Sequence, residues 1–313
     1  MLYSDATAIY RRLFTPGQPE APLPIQNADK ITVMDYDILH DKLLWLGPDK
    51  KFIYWQPQNG GEVQSIKLLQ DSDPYDFAFD PYSGAIFVTD KENRVVYYRL
   101  SVPEARGVIF DGAEKDFRPR KIVAFSEKGR LFWTNPGLGG VGGTIESISL
   151  AGSDRSTVIQ FSSPNSRVID LAIDYSGERI YWIDANLQQI ESCTVDGTDH
   201  KKHVVFSVED KPVSLTFHGG NIYWVDQNSG FIMKQTVNDK LERFQGGHSN
   251  LKMVLAVNTS RLNGKHDLLV RSTLLRVVFL VFPPLTRGRP IKAGFCVHSF
   301  VSNGFARKLI IRI

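Results

Sequence analysis

A degenerate four-residue phrase recurs five times in the 313-residue chain: a bulky apolar residue, then Trp or Val, then a Thr-like residue, then an acid or its stand-in. The copies are LWLG at 44–47, FVTD at 87–90, FWTN at 132–135, YWID at 181–184 and YWVD at 223–226. The steps between Trp45, Val88, Trp133, Trp182 and Trp224 are 43, 45, 49 and 42 residues. A near-constant period of that size marks a repeat architecture in which each unit is one four-stranded blade of a β-propeller.

Each unit reads as a hairpin followed by two further strands. Asp170-Leu171-Ala172-Ile173-Asp174 is an apolar run, Tyr175-Ser176-Gly177-Glu178 is a turn, and Arg179-Ile180-Tyr181-Trp182-Ile183-Asp184 returns. The other units supply Tyr75–Asp80 with the turn 81–84, Lys121–Phe125 with 126–129, and Val213–Phe217 with 218–221. Strand-forming side chains and turn-forming Gly, Ser, Pro and Asn therefore alternate as a hairpin requires. Ile53, Val95, Ile145, Ile190 and Ile232 open a third strand, a small polar turn precedes a fourth, and no stretch of helical period intervenes. The expected fold class is all-β.

The phrase residues predict structure before chemistry. Trp45, Trp133, Trp182 and Trp224 stand at equivalent positions and are expected to pack between neighbouring blades, where large aromatics contribute most. Asp90, Asp184 and Asp226 are acids at a strand end, where a carboxylate accepts backbone N–H bonds of a turn. Gly47 and Asn135 replace the acid in two units, so no ring of identical carboxylates exists.

These repeats resemble the YWTD, or class B, repeats of the low-density lipoprotein receptor family, whose six-bladed propeller occurs in lipoprotein receptors, in receptor-related proteins including Wnt co-receptors, and in nidogen. The resemblance covers residues 1–258. Leu2-Tyr3-Ser4-Asp5 through Ile9-Tyr10-Arg11-Arg12 reads as the second half of a unit, and the stretch 249–255 as the first strand of another. A sixth blade closed by N- and C-terminal halves is the expectation, since closure removes the unpaired edges of an open ring.

The resemblance implies a non-enzymatic, extracellular ligand-binding propeller of an endocytic receptor-related or Wnt co-receptor type, docking a protein ligand on its loop face at the plasma membrane. Ligands of the family mostly meet the face where the innermost strands begin. By position these residues are Asp29, Tyr75, Arg120, Arg167, Val213 and Leu251. Wnt co-receptor propellers carry an acid where Asp29 stands and an arginine where Arg120 stands. They place a Trp and an Asn where this chain has Arg167 and Ile169, and an aromatic where it has Val213. The histidines of a lipoprotein-receptor pH switch are replaced by Gln188 and Lys211, although His200, His203, His218 and His248 remain titratable. A nidogen-like matrix propeller is the alternative within binding proteins.

A second alternative is a calcium-dependent propeller hydrolase, which needs converging oxygen ligands. Asp76 and Asp170 lie on channel-side strands, but Val33, Lys121 and Ser214 take the equivalent places, and no nucleophile elbow, zinc-binding helix motif or phosphate loop is present. Catalytic residues, metal and cofactors are accordingly expected to be none.

The net charge of +3 hides an asymmetry. Residues 259–313 hold ten Lys or Arg and one acid, which leaves 27 basic and 33 acidic residues, net −6, in the propeller. A net-acidic ring excludes nucleic acid as the natural partner and suggests docking of basic proteins. The tail 259–313 is basic, non-repeating and expected to be poorly ordered. Its apolar run 274–282 falls short of the roughly 20 residues that span a bilayer. The family usually continues with a six-cysteine growth-factor-like module, but here Cys296 alone follows the propeller. The tail is read as the product of an imprecise gene model that runs beyond an exon boundary, in preference to a membrane-surface element. No export signal is read after Met1, Cys193 and Cys296 make no disulfide framework, and Asn258-Thr259-Ser260 fits a glycosylation acceptor. Membrane association is expected only through domains outside this chain.

Overall fold

The structure is a computed structural model that describes residues 1–5, 7–14, 20–26, 31, 33–111, 117–137, 139–236, 240–246, 248, 250–257, 296–302 and 305–311. It divides into two compact units, 1–263 and 264–313. In the first, β1 (Leu2–Ser4), β2 (Ile9–Arg11) and β3 (Ala21–Pro22) precede five complete blades. Blade 1 is β4 (Met34–Asp37), β5 (Lys42–Leu46), β6 (Phe52–Pro57) and β7 (Gln64–Lys67). Blade 2 is β8 (Pro74–Asp80), β9 (Ala85–Asp90), β10 (Arg94–Arg99) and β11 (Val102–Asp111). Blade 3 is β12 (Ile122–Phe125), β13 (Arg130–Asn135), β14 (Thr144–Ser149) and β15 (Ser156–Gln160). Blade 4 is β16 (Val168–Asp174), β17 (Arg179–Asp184), β18 (Gln189–Thr194) and β19 (Lys201–Val205). Blade 5 is β20 (Pro212–His218), β21 (Asn221–Asp226), β22 (Phe231–Thr236) and β23 (Leu241–Gly246).

Blade 6 is made from both ends of this unit. β24 (Met253–Leu255) pairs antiparallel with β1 in the register Leu2↔Leu255, Tyr3↔Val254 and Ser4↔Met253, giving the sheet order β24-β1-β2-β3. The ring is therefore six-bladed and closed by strands from both ends, as expected, with three strands from the N-terminal side and one from the C-terminal side. The third N-terminal strand escapes sequence reading because it is two residues long.

Six hydrophobic clusters fill the six seams between blades, and the phrase explains why. Successive side chains of a strand point to opposite faces, so the first phrase residue packs against the following blade and the second against the preceding one. Leu44, Phe87, Phe132, Tyr181, Tyr223 and Leu2 take the first role. Trp45, Val88, Trp133, Trp182, Trp224 and Tyr3 take the second. The indole N–H groups of Trp45, Trp133 and Trp182 have no acceptor among the described residues, so shape and area select Trp at this position.

The inner hairpin turns also follow their chemistry. Gly84 and Gly129 adopt left-handed φ values of 65° and 62°, where glycine is at home. In blade 4 the left-handed residue is Glu178, at φ 50°. Gly177 beside it answers a different demand, because a Cβ there would lie 2.3 Å from Asp174 Oδ2. Cys193 is buried in the seam between blades 3 and 4, and burial pushes its thiol up to about 11.

In the unit 264–313, β25 (Cys296–Ser302) and β26 (Phe305–Ile311) form an antiparallel hairpin with the register Cys296↔Ile311. Among the described residues no helix is long and apolar enough to cross a membrane.

Closure by β24 gives a direct stability prediction. Val254 is 1% exposed and Val205, on an outer strand, is 72% exposed. Val254→Asp buries a charge in the closing seam and should cost about 3 kcal/mol or more, whereas Val205→Asp should cost about 1 kcal/mol or less. Urea melts followed by circular dichroism measure both, and equal losses would contradict the placement of β24.

Candidate functional site

In every blade the connection from the fourth strand to the next first strand emerges on the same face as the loop between the second and third strands. The last phrase residue ties the two together. Asp184 Oδ1 accepts the N–H groups of Arg167 (3.1 Å), Asn186 (3.0 Å) and Leu187 (2.9 Å). Asp226 Oδ1 accepts from Lys211 (2.8 Å) and Asn228 (3.3 Å), and Asn135 Oδ1 accepts from Arg118 (3.0 Å). The chain then returns the bond, as Ala185 N–H donates to Arg167 C=O at 3.0 Å and Gln227 N–H to Lys211 C=O at 2.9 Å. In blade 2, Asp90 instead accepts Ser72 Oγ–H (3.3 Å) and forms a 2.6 Å ion pair with Arg94, which also reaches Asp71 at 2.9 Å. The acids hold loop backbone, the role that local side-chain bonding suits best.

Of the six residues assigned to the docking face, Tyr75 and Arg120 come together: the Arg120 guanidinium lies 4.0 Å from the centre of the Tyr75 ring. That cation–π pair joins blades 2 and 3, and the Thr89 hydroxyl donates to Arg120 C=O at 2.5 Å across the same seam. Burial, with the Arg118 charge beside it, holds the Arg120 guanidinium below its ordinary pKa. Arg167 is exposed, and Val213 is half-buried against the seam between blades 5 and 6. Leu251 is 0% exposed in that same seam. It is a core residue and presents no side chain to a ligand, because the chain turns inward there to deliver β24. Asp29 and Asn258 lie outside the described residues.

At the channel the innermost strands are stitched blade to blade through side chains. Asp35 accepts Phe79 N–H (2.7 Å), Asp76 accepts Ile122 N–H (3.0 Å), Asp170 accepts Leu215 N–H (2.7 Å) and Ser214 accepts Val254 N–H (3.2 Å). Lys121 takes this place in blade 3, with Nζ 3.8 Å from Asp76 Oδ2 and 3.4 Å from Asp170 Oδ1. Burial alone would lower the Lys121 pKa, but the charges of Asp170 and Asp76 outweigh it and hold the ammonium well above its ordinary value. Burial pushes the Asp76 carboxyl up to about 6, against the pull of Lys121 and the Ile122 N–H. This ionic bridge was legible only in part, since aligning the units places Lys121 where Asp76 and Asp170 stand but does not show the three converging.

The channel encloses a cavity of about 80 Å³, and a second of about 210 Å³ is lined by blade 3 residues that include Pro136, Val141, Glu146 and Gln160. Both fall below the few hundred Å³ of a typical small-molecule site. Among the described residues no group of three or more His, Cys, Asp or Glu is placed to hold a metal ion. The histidines are dispersed: His200 meets Glu191 at 2.5 Å, His203 meets Ser192 at 2.7 Å, His218 stacks on Phe14, and His248 meets Asp5 at 3.2 Å.

No family model matches the chain. It is 30% identical to human low-density lipoprotein receptor-related protein 5 over 272 residues, which are 82% of this chain and 16% of that protein. It is 28% identical to protein cueball of Drosophila sechellia over 44% of this chain and 21% of that protein. The chain thus spans about a sixth to a fifth of the length of these relatives. Among solved structures, a chain of the nidogen–laminin complex superposes with a TM-score of 0.68 at 21% identity, covering 80% of this chain and 95% of that one. A Staphylococcus aureus virginiamycin B lyase superposes with a TM-score of 0.55 at 17% identity over 76% of this chain and 77% of its own, a likeness of fold.

The Asp76 environment predicts a pH dependence. Its folded pKa of about 6 exceeds the unfolded value of about 3.9. The folded state therefore binds the extra proton between those values, and Asp76's contribution to stability falls as pH rises through that window. Asp76→Asn keeps an oxygen for the Ile122 N–H and removes the slope. Relative to the parent, the variant's unfolding free energy should improve by about 2 kcal/mol between pH 4.5 and pH 7. Paired urea melts at the two pH values measure it, and a constant difference would refute the assignment.

Proposed function

Because this chain carries a YWTD propeller of the low-density lipoprotein receptor-related type, we propose that it is the ligand-binding module of an extracellular receptor, non-enzymatic, and docks a protein partner on the face that carries Tyr75, Arg120 and Arg167. Its place is the outer side of the plasma membrane, and its role is endocytic or that of a Wnt co-receptor. The supporting observation is the alignment with receptor-related protein 5 along 82% of the chain. The construction of the loop face agrees with it: backbone bonds fix the connections while their side chains stay available, as a binding surface on a rigid scaffold requires. A nidogen-like matrix role is the second reading, favoured by the superposition on a chain of the nidogen–laminin complex.

A photo-cross-linking residue at Arg167, on the loop face, or at Glu178, in a hairpin turn of the opposite face, tests the reading. Incubated with laminin and, separately, with secreted extracellular proteins, the Arg167 derivative should form a discrete adduct and the Glu178 derivative none. Tyr75→Ala with Arg120→Ala should then weaken the same complex by about 1–3 kcal/mol in a binding titration. An adduct with laminin selects the matrix role. Adducts from Glu178 alone would overturn docking on the loop face.

A further inference from the structure

We propose that the basic side chains on the rim of the loop face, Arg118, Arg167 and Lys211 of three successive blades with Arg120 and Lys252 beside them, form a fixed cationic arc that receives an acidic segment of a protein partner. The inference rests on the docking reading above and adds the chemistry of what docks.

Arg118, Arg167 and Lys211 occupy one structural position repeated in blades 3, 4 and 5. Each backbone N–H is held by the last phrase residue of its own blade, at 3.0 Å from Asn135, 3.1 Å from Asp184 and 2.8 Å from Asp226. The counterpart in blade 2 is Asp73, whose C=O accepts the Lys91 N–H at 3.0 Å just as those of Arg167 and Lys211 accept from Ala185 and Gln227. Its carboxylate is already occupied, by Lys91 and by Lys50 at 3.5 Å. The sign of the charge at this position thus reverses between blades 2 and 3, and its pairing is lost with it. Arg118, Arg120, Arg167, Lys211 and Lys252 make no ion pair among the described residues, whereas Lys121 beneath them is taken up by Asp76 and Asp170.

Two acids share the blade 5 connection with Lys211. Asp210 is engaged in its own turn, accepting the Ser207 N–H at 2.7 Å, and Glu209 is exposed beside it. Arg120 sits over Tyr75 with the Arg118 charge close by, and neither is in an ion pair with a carboxylate among the described residues. An incoming carboxylate relieves that repulsion and meets backbones ordered in advance, which lowers the entropic cost of binding. The net charge of −6 over residues 1–258 selects the form of the partner. A long polyanion such as a sulfated glycan is repelled by the ring as a whole, while a short acidic stretch of a protein reaches the arc alone.

Fluorescence anisotropy of the full chain with a labelled Glu-rich peptide, a Lys-rich peptide and a heparin oligosaccharide tests this. The Glu-rich peptide should bind, weaken about tenfold between low and moderate salt, and lose about tenfold or more in affinity on Arg118→Glu, Arg167→Glu and Lys211→Glu combined. Arg167→Glu alone, at an exposed side chain, gives a smaller loss in the same direction if the triple variant fails to fold. Lys202→Glu, on the outer strand β19, should leave binding unchanged. Equal binding of the Lys-rich peptide, tighter binding of heparin, or indifference to the reversals would each overturn the acidic-segment proposal. A partner still captured by the Arg167 photo-cross-linking derivative when Arg118→Glu and Lys211→Glu are added would leave docking on the loop face intact and remove only the acidic chemistry.

Discussion

The strand pairing between β1 and β24 is the contact on which every other seam depends, because a propeller ring has no stable partial form: an unclosed blade leaves two apolar faces and two strand edges in water. Joining residues 2–4 to residues 253–255 closes a loop whose entropic cost is about 5 kcal/mol for a flexible chain of that length. Leu2, Tyr3, Ile9 and Val254 are all buried by the closure, at roughly 2 kcal/mol each, so the seam outweighs its own cost by a few kcal/mol. Trp45 contributes from the neighbouring side, since the second phrase residue of blade 1 packs against blade 6.

The channel shows the same economy of means. A carboxylate or hydroxyl on one inner strand accepts a backbone N–H of the next, and the series runs through Asp35, Asp76, Asp170 and Ser214. Lys121 interrupts it with an ionic bridge between Asp76 and Asp170. Polar groups at the axis of the ring are thereby occupied in holding blades together, and the chemistry left available to a partner moves outward to the rim of the loop face.

Much of this was readable from the residues. The period of the phrase dictates the blades, and strand alternation places Trp45, Trp133, Trp182 and Trp224 in the seams. Asp184 and Asp226 were legible as backbone-holding acids because their surroundings are local in sequence. What joins different blades was not legible. Arg120 over Tyr75 and Lys121 between Asp76 and Asp170 link residues some 45 positions apart, and a one-dimensional pattern does not say which side chains of two sectors meet. Leu251 was assigned to the docking face by its position in the unit, at the start of an innermost strand, yet the chain must bury it to bring β24 to β1. The −6 charge of the propeller pointed to basic partners, but a sum over the surface cannot show that Asp71, Asp73 and Asp90 of blade 2 are paired while Arg118, Arg167 and Lys211 on the loop face make no ion pair among the described residues.

Amide hydrogen exchange in the intact chain tests the closed ring most directly. The amides of Tyr3 in β1 and Val254 in β24 should exchange only by the global opening that also exposes Trp133 in β13, with the same dependence on denaturant. Free exchange of β24 while β12, β13 and β14 remain protected would contradict it.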